Sequence, residues 1–419
     1  MTDATYFRRG FGLKPEIAAV RSADYHSHLV EAVRARGYAL ETGKLRFRLA
    51  KEFGFCYGVD RAVDYAYETR VKFPDRRLFL VGEIIHNPHV NAKLEAMGIE
   101  FLLRPGEVGS EIDFSRLTAE DVVILPAFGV TIQDFARLRA IGCVMVDTTC
   151  GSVLNVWKRV ESYARDGFTA IIHGKHRHEE TRATASQVMK YPGGRYLVVL
   201  DMAEARLLTD WIERGGDPAP LSARFLEAMS PGFDFTRDLE RVGLANQTTM
   251  LSGESLAIAE AFRRAMVAKY GEANAAEHAR SFDTICSATQ ERQDAMLQLL
   301  ADPPDVMVVV GGYNSSNTAH LAELAASRGV RTYHIEDAEC VEPGTGGESG
   351  ALRHRPIGAR EDAVAPGWLD GVATIGITAG ASTPNNKIGE TIARICEAAG
   401  VAGELSAAIA SAAGPPALA

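Results

Sequence analysis

The chain has 419 residues, 46% hydrophobic and 24% charged, which excludes global disorder and allows for two or three domains. Its 45 Lys and Arg against 54 Asp and Glu leave a formal charge of −9, so a broad basic nucleic-acid face is excluded and any anion must be held locally. The strongest apolar runs, such as Val306–Val310, are strand-length, far short of the roughly 18 residues that cross a bilayer.

In chain order, residues 1–45 read as a polar N-terminal extension with one helix over 23–36, packed on the body. Strands are expected at 78–81, 122–125, 143–146, 170–172, 196–200, 306–310 and 373–377. Helices are expected at 59–72, 153–166, 253–269, 290–301 and 316–328. Repeated strand, loop and helix imply an α/β fold with mainly parallel sheets. Residues 341–370, Gly-rich over 342–350, read as a loop insertion, and 401–419 as a flexible or weakly helical tail. No apolar h-region opens the chain, so no secretory signal is expected and a reducing cytoplasm is the expected compartment.

Six cysteines, Cys56, Cys143, Cys150, Cys286, Cys340 and Cys396, are too few and scattered for a disulfide framework, and none forms a CxxC pair. Three share a context: a β-like segment runs into Cys56, Cys150 or Cys286, and a helix follows. Two of these share a local signature, Asp147-Thr148-Thr149-Cys150 and Asp283-Thr284-Ile285-Cys286. Each cysteine is thereby placed on its own α/β unit in a pseudo-threefold arrangement. A thiol at a helix N-terminus faces free N–H groups and the positive end of the dipole, which favours thiolate. Three such thiolates would make a metal site with no short-range motif. It suits an iron–sulfur cluster with one open iron, or zinc with one open position. The plain alternative is buried structural cysteine, and Cys143, Cys340 and Cys396 are read that way.

Several strands end in small polar loops, where open α/β sheets bind ligands. Gly311-Gly312-Tyr313-Asn314-Ser315-Ser316-Asn317 offers a flexible Gly pair and hydroxyls at a helix start, which suits phosphate oxygens. Thr378-Ala379-Gly380-Ala381-Ser382-Thr383 repeats the idea, and Asn246-Gln247-Thr248-Thr249 is a weaker case. Helix capping alone would explain any one of them. Two further loops carry histidine: 83–87 with His86, and 173–181 with His173, His176, His178 and Glu180. A solvated charged loop is the plain reading of the second. Its place after a strand favours phosphate binding and proton relay.

Taken together, GFCYGVDRAV from Gly54, EIIHNPHV from Glu83, DTTC from Asp147, HGKHRHEET from His173, NQTTM from Asn246, DTICSATQERQ from Asp283, GGYNSSN from Gly311 and TAGAST from Thr378 occur in one order. Over residues 45–395 they resemble the 4-hydroxy-3-methylbut-2-enyl diphosphate (HMBPP) reductases, in particular the longer branch typical of oxygenic phototrophs. The resemblance implies three α/β lobes around a central [4Fe–4S] cluster, held by Cys56, Cys150 and Cys286 with one iron open. The lobes would span 46–149, 150–283 and 284–400, the last with the 341–370 insertion. It implies reductive dehydroxylation of HMBPP to isopentenyl and dimethylallyl diphosphate, the last step of the non-mevalonate pathway. The electron donor would be a ferredoxin or flavodoxin type protein, with no nucleic acid or membrane partner. Diphosphate recognition is carried onto His86, His178, Ser315, Ser316, Asn317 and Ser382, proton delivery onto Glu180, and a hydrogen bond to the substrate hydroxyl onto Thr248. The sequence departs from the family pattern at Phe128, where many members have histidine, and at Gly151, where proline is common. Two rivals stand beside this reading: a three-cysteine zinc phosphoesterase and a non-catalytic phosphometabolite-binding protein.

Overall fold

A computed structural model describes residues 5–103, 112–282, 284–344 and 350–410. Asp283, part of the Gly-rich 342–350 segment and positions 411–419 of the tail lie outside the described residues. The chain divides into two compact units. The first takes its described residues from Met1–Gly12, Arg61–Ile85 and Asn91–Ser287; the second from Leu13–Asp60, His86–Val90 and Ala288–Ala419. The fold is α/β, as expected.

The first unit contains two parallel sheets. One runs Tyr6–Phe7, Val144–Asp147, Val122–Leu125, Leu78–Leu80, Ile99–Phe101. The other runs Ala279–Ser281, Val242–Asn246, Thr169–His173, Tyr196–Val199. Strands Val122–Leu125, Val144–Asp147, Thr169–His173 and Val242–Asn246 are buried at every position. That is why they read as continuous apolar runs and not as alternation: a parallel sheet is covered on both faces. Helix Gly151–Arg165 packs on the second sheet through Val156, Val160 and Tyr163. Tyr163 lies flat against Gly243, and its hydroxyl donates to the Leu244 carbonyl at 2.8 Å.

The second unit is built on the sheet Arg331–Ile335, Val306–Val310, Thr374–Ala379, Leu45–Leu49, parallel throughout, with Ala39–Thr42 added antiparallel at its edge. The expected lobe boundary at 46 therefore falls inside a strand of the sheet expected for residues 284–400. Leu45, Phe47 and Leu49 bury themselves with Ile375, Ile377 and Val308 in one core, and that burial sets the pairing.

The extension serves both units: Tyr6–Phe7 is an edge strand of the first, while its later residues join the second. The helix expected at 23–36 is two helices, Lys14–Tyr25 and His28–Ala35. His26 is extended, and Ser27 caps the second helix by accepting from the Val30 N–H. The 341–370 segment is more than a loop. Ala351–His354 and Ala363–Pro366 pair antiparallel, and Leu352 and Trp368 enter the core. The expected flexible tail begins with a helix, Ala402–Ala410, because Val401 and Leu405 dock on the same core. Among the described residues no helix is long and apolar enough to cross a membrane.

A Cβ on Gly243 would collide with the Tyr163 ring. Gly243→Ala should therefore destabilise the chain by about 1–3 kcal/mol through overpacking, read as a lower thermal midpoint. An unchanged midpoint would show that Tyr163 has room to move.

Candidate functional site

Each of the three singled-out cysteines directly precedes a helix: Cys56 before Tyr57–Lys72, Cys150 before Gly151–Arg165 and Cys286 before Ser287–Leu300. All three are partly exposed, whereas Cys143, Cys340 and Cys396 are buried. Burial pushes the Cys143 thiol up and the Cys396 thiol up to about 11. The division of six cysteines made on sequence context is thus also a division by access. Cys150 and Cys286 belong to the first unit and Cys56 to the second.

In the first unit, the loop entering Cys150 is braced by Asp147. Its Oδ1 accepts from the Thr149 N–H at 2.9 Å and the Thr149 hydroxyl at 2.5 Å, and its Oδ2 accepts from the Tyr6 hydroxyl at 2.6 Å. The Cys150 N–H donates to the Ala127 carbonyl at 2.8 Å. The corresponding brace beside Cys286 is Thr284, whose hydroxyl donates to Asn246 Oδ1. Sequence reading missed Asp147 and Tyr6 as braces. The repeated Asp-Thr pair was the available signal for the first, and nothing local signals the second.

The charged loop after Thr169–His173 divides in two. His176 and Arg177 face Glu227 at 3.5 and 2.6 Å on the exposed side. His178 and Glu180 turn inward, 9% and 2% exposed. His178 caps helix Glu179–Val188: its Nδ1 accepts from the Glu180 N–H at 3.1 Å, so a neutral ring carries its proton on Nε2. The Glu180 carboxylate is gripped by one residue 68 positions away. Thr248 N–H donates to Oε1 at 2.5 Å and Thr248 Oγ1–H to Oε2 at 2.9 Å. Thr248 is presented by a turn held by Gln247, which accepts from Thr181 Oγ1 at 3.0 Å and Lys175 N–H at 3.1 Å. Gly174 permits that approach, since a Cβ there would lie 2.9 Å from both Gln247 and Thr181. Phe128 sets its ring edge-on to His178, centroids 6.0 Å apart.

In the second unit, His86, Ser315, Ser316, Asn317 and Ser382 come together, all at most 7% exposed. The Ser382 hydroxyl reaches the His86 carbonyl at 3.1 Å and Ser315 Oγ at 3.2 Å. Ser315 caps helix Ser316–Ser327, so Ser316 and Asn317 form its first turn, where free N–H groups and the dipole favour an anion. Asn317 Oδ1 accepts from the Ala381 N–H at 2.9 Å, while its Nδ2 is buried with no acceptor among the described residues. A buried donor without an acceptor is costly, and a phosphate oxygen would satisfy it. Both glycines of the Gly pair are required by close approach: a Cβ on Gly311 would meet Thr383 and Thr318, and one on Gly312 the His86 carbonyl at 2.8 Å.

The model of the LytB protein family matches residues 47–396. The chain belongs to the LytB protein family. Two LytB-like relatives, both bearing the name 4-hydroxy-3-methylbut-2-enyl diphosphate reductase, are closely similar over nearly their whole length. The protein of Gloeobacter violaceus is 50% identical over 404 residues, 96% of this chain and 94% of its own. That of Thermosynechococcus vestitus is 49% identical over 395 residues, 94% of this chain and 95% of its own. The solved E-1-hydroxy-2-methyl-but-2-enyl-4-diphosphate reductase of Plasmodium falciparum shares the fold. It has a TM-score of 0.59 at 20% identity, over 83% of this chain and 86% of that one. Cyanobacterial relatives at this identity bear out the expected family and branch.

The difference in access among the six thiols is directly measurable in the metal-free LytB family chain. A thiol reagent under native conditions should modify Cys56, Cys150 and Cys286 well before Cys143, Cys340 and Cys396, as read by peptide mass spectrometry. Equal rates for all six would contradict the division.

Proposed function

We propose that this chain is an HMBPP reductase of the non-mevalonate isoprenoid pathway, working in the cytoplasm. The observation that carries the reading is 50% identity across 96% of the chain to an enzyme of that name. The reaction takes two electrons and two protons, breaks the allylic C–O bond, releases water and leaves isopentenyl or dimethylallyl diphosphate. Cys56, Cys150 and Cys286 hold a [4Fe–4S] cluster. The chemistry of the donors fits: three partly exposed thiols at helix N-termini, with the other three cysteines buried. When bound, the cluster supplies electrons singly and a Lewis-acidic iron without a protein ligand. A small ferredoxin or flavodoxin type protein delivers the electrons.

The chain's own residues do the rest. His86, Ser315, Ser316, Asn317 and Ser382 bind the diphosphate from the second unit. Their donors are neutral hydroxyls, amides and an imidazole, in keeping with the acidic overall charge. His178 adds its Nε2–H. Hydroxide is a poor leaving group, so a proton must reach the substrate oxygen as the C–O bond breaks. Thr248 hydrogen-bonds that hydroxyl, and Glu180 stands behind it. With the carboxyl protonated, the 2.9 Å contact reverses direction: Glu180 gives its proton to Thr248 Oγ1, and Thr248 passes its own to the leaving oxygen. Phe128 supplies no hydrogen bond where many relatives offer histidine. Its edge-on contact with His178 instead fixes the orientation of that ring.

Glu180→Gln should keep iron content and substrate affinity while kcat falls about 10²–10⁴-fold, the usual contribution of a positioned acid. Thr248→Val should do the same and Thr248→Ser should restore most of the activity. Wild-type turnover in Glu180→Gln would reject the relay. Cys56→Ser, Cys150→Ser and Cys286→Ser should each lose or degrade the cluster, as read by iron analysis and electron paramagnetic resonance of anaerobic protein. Cys143→Ser and Cys340→Ser should not. An intact cluster in Cys150→Ser would contradict the ligand set.

A further inference from the structure

Arg292 and Arg61 hold loop backbone with no ion pair to a described carboxylate. Arg292, on helix Ser287–Leu300, is only 3% exposed. Its Nη2 donates to the Gly54 carbonyl at 2.7 Å and its Nη1 to the Ala288 carbonyl at 2.8 Å. Its Nε is buried without an acceptor among the described residues, and it forms no ion pair with a described carboxylate. Gly54 lies two residues before Cys56 and needs its left-handed φ of 79°, where a Cβ would also strike Asn385. Arg61, on helix Tyr57–Lys72, is partly buried and treats the loop before Cys150 the same way. Its Nη2 donates to the Thr149 carbonyl at 2.5 Å and the Thr148 carbonyl at 3.2 Å. Its Nε likewise is buried without an acceptor among the described residues, and it too has no ion pair with a described carboxylate.

Neutral carbonyls satisfy N–H groups but do not neutralise a guanidinium. Burying a cation without a counter-charge is costly, and a native fold ordinarily pairs it. Arg355, by contrast, meets Asp362 at 2.8 Å. Arg292 is the one buried arginine among the described residues, and it and Arg61 grip the loops leading into Cys56 and Cys150. A cluster held by three thiolates is a net anion, and each electron it accepts makes it more negative. It would supply the missing counter-charge, and a nearby fixed cation would favour its reduced form over its oxidised form.

We propose that Arg292 and Arg61 are positioning residues for the Cys56 and Cys150 loops and act as counter-cations of the reduced cluster, raising its reduction potential. The inference rests on the cluster reading under Proposed function. Iron content of the wild-type protein separates the two: wild-type protein without iron rejects that reading itself.

The test uses the anaerobic holoenzyme with Arg292→Gln, which keeps a donor for the Gly54 carbonyl but loses the charge, and Arg292→Lys, which keeps the charge. Midpoint potential is read by redox titration followed by electron paramagnetic resonance, alongside iron stoichiometry. The expected result is a more negative potential in Arg292→Gln and a potential near wild type in Arg292→Lys. Iron loading in Arg292→Lys but not in Arg292→Gln supports the same role, since the lysine keeps the charge and the glutamine does not. An unchanged potential in fully loaded Arg292→Gln overturns the proposal for Arg292. Equal loss of iron, or an equal shift of potential, in both variants overturns it too, because the guanidinium shape and not its charge would then matter. The same two substitutions at Arg61 test the Cys150 loop independently, with the same outcomes counting for and against.

Discussion

The site depends on one constraint. Loops that leave a buried parallel sheet carry backbone N–H and C=O groups that must be satisfied before any side chain can be aimed. Here side chains at and around the strand ends tie these loops down. Asp147 ties the turn before Cys150, Asn246 ties Thr284 near Cys286, and Gln247 ties the turn that presents Thr248. Thr248 in turn grips Glu180 through both its N–H and its hydroxyl. Each functional group therefore rests on a buried polar network, and such networks fix geometry because a half-satisfied member is costly.

The same constraint separates tasks within the chain. In the second unit, the sheet brings two polar loops, after Val306–Val310 and Thr374–Ala379, side by side, because these strands pair directly. Helix capping by Ser315 and the reach of Asn317 to Ala381 then turn two loops into one cradle of neutral donors. In the first unit, the strands Thr169–His173 and Val242–Asn246 are likewise neighbours, which is why Glu180 and Thr248 meet across 68 residues. Adjacent parallel strands place their C-terminal loops together, so the proposed anion handling and proton handling would each follow from one strand pairing.

Much of this was legible in the sequence. Strands such as Val122–Leu125 and Val306–Val310 announced themselves as unbroken apolar runs because both faces are covered. The three accessible cysteines were separable from the three buried ones by their place before a helix. Short edge strands were not legible: Tyr6–Phe7 has two residues and Ala279–Ser281 three, too few to show a period. The placement of Leu45–Leu49 depended on pairing with Thr374–Ala379, more than three hundred residues on, and no local pattern encodes that. The break at His26 depended on a cap, not on hydrophobic periodicity. The roles expected of Glu180 and Thr248 came only from family resemblance; the residues alone marked a charged loop and a polar turn, not their meeting.

Product analysis of wild-type protein tests the proposed reaction itself. Anaerobically purified protein is reduced, given HMBPP, and its products are separated by chromatography. The expected products are isopentenyl and dimethylallyl diphosphate, with the diphosphate intact. Recovery of unchanged HMBPP from protein with a full complement of iron, or release of inorganic phosphate in place of the two isoprenoid diphosphates, would contradict it.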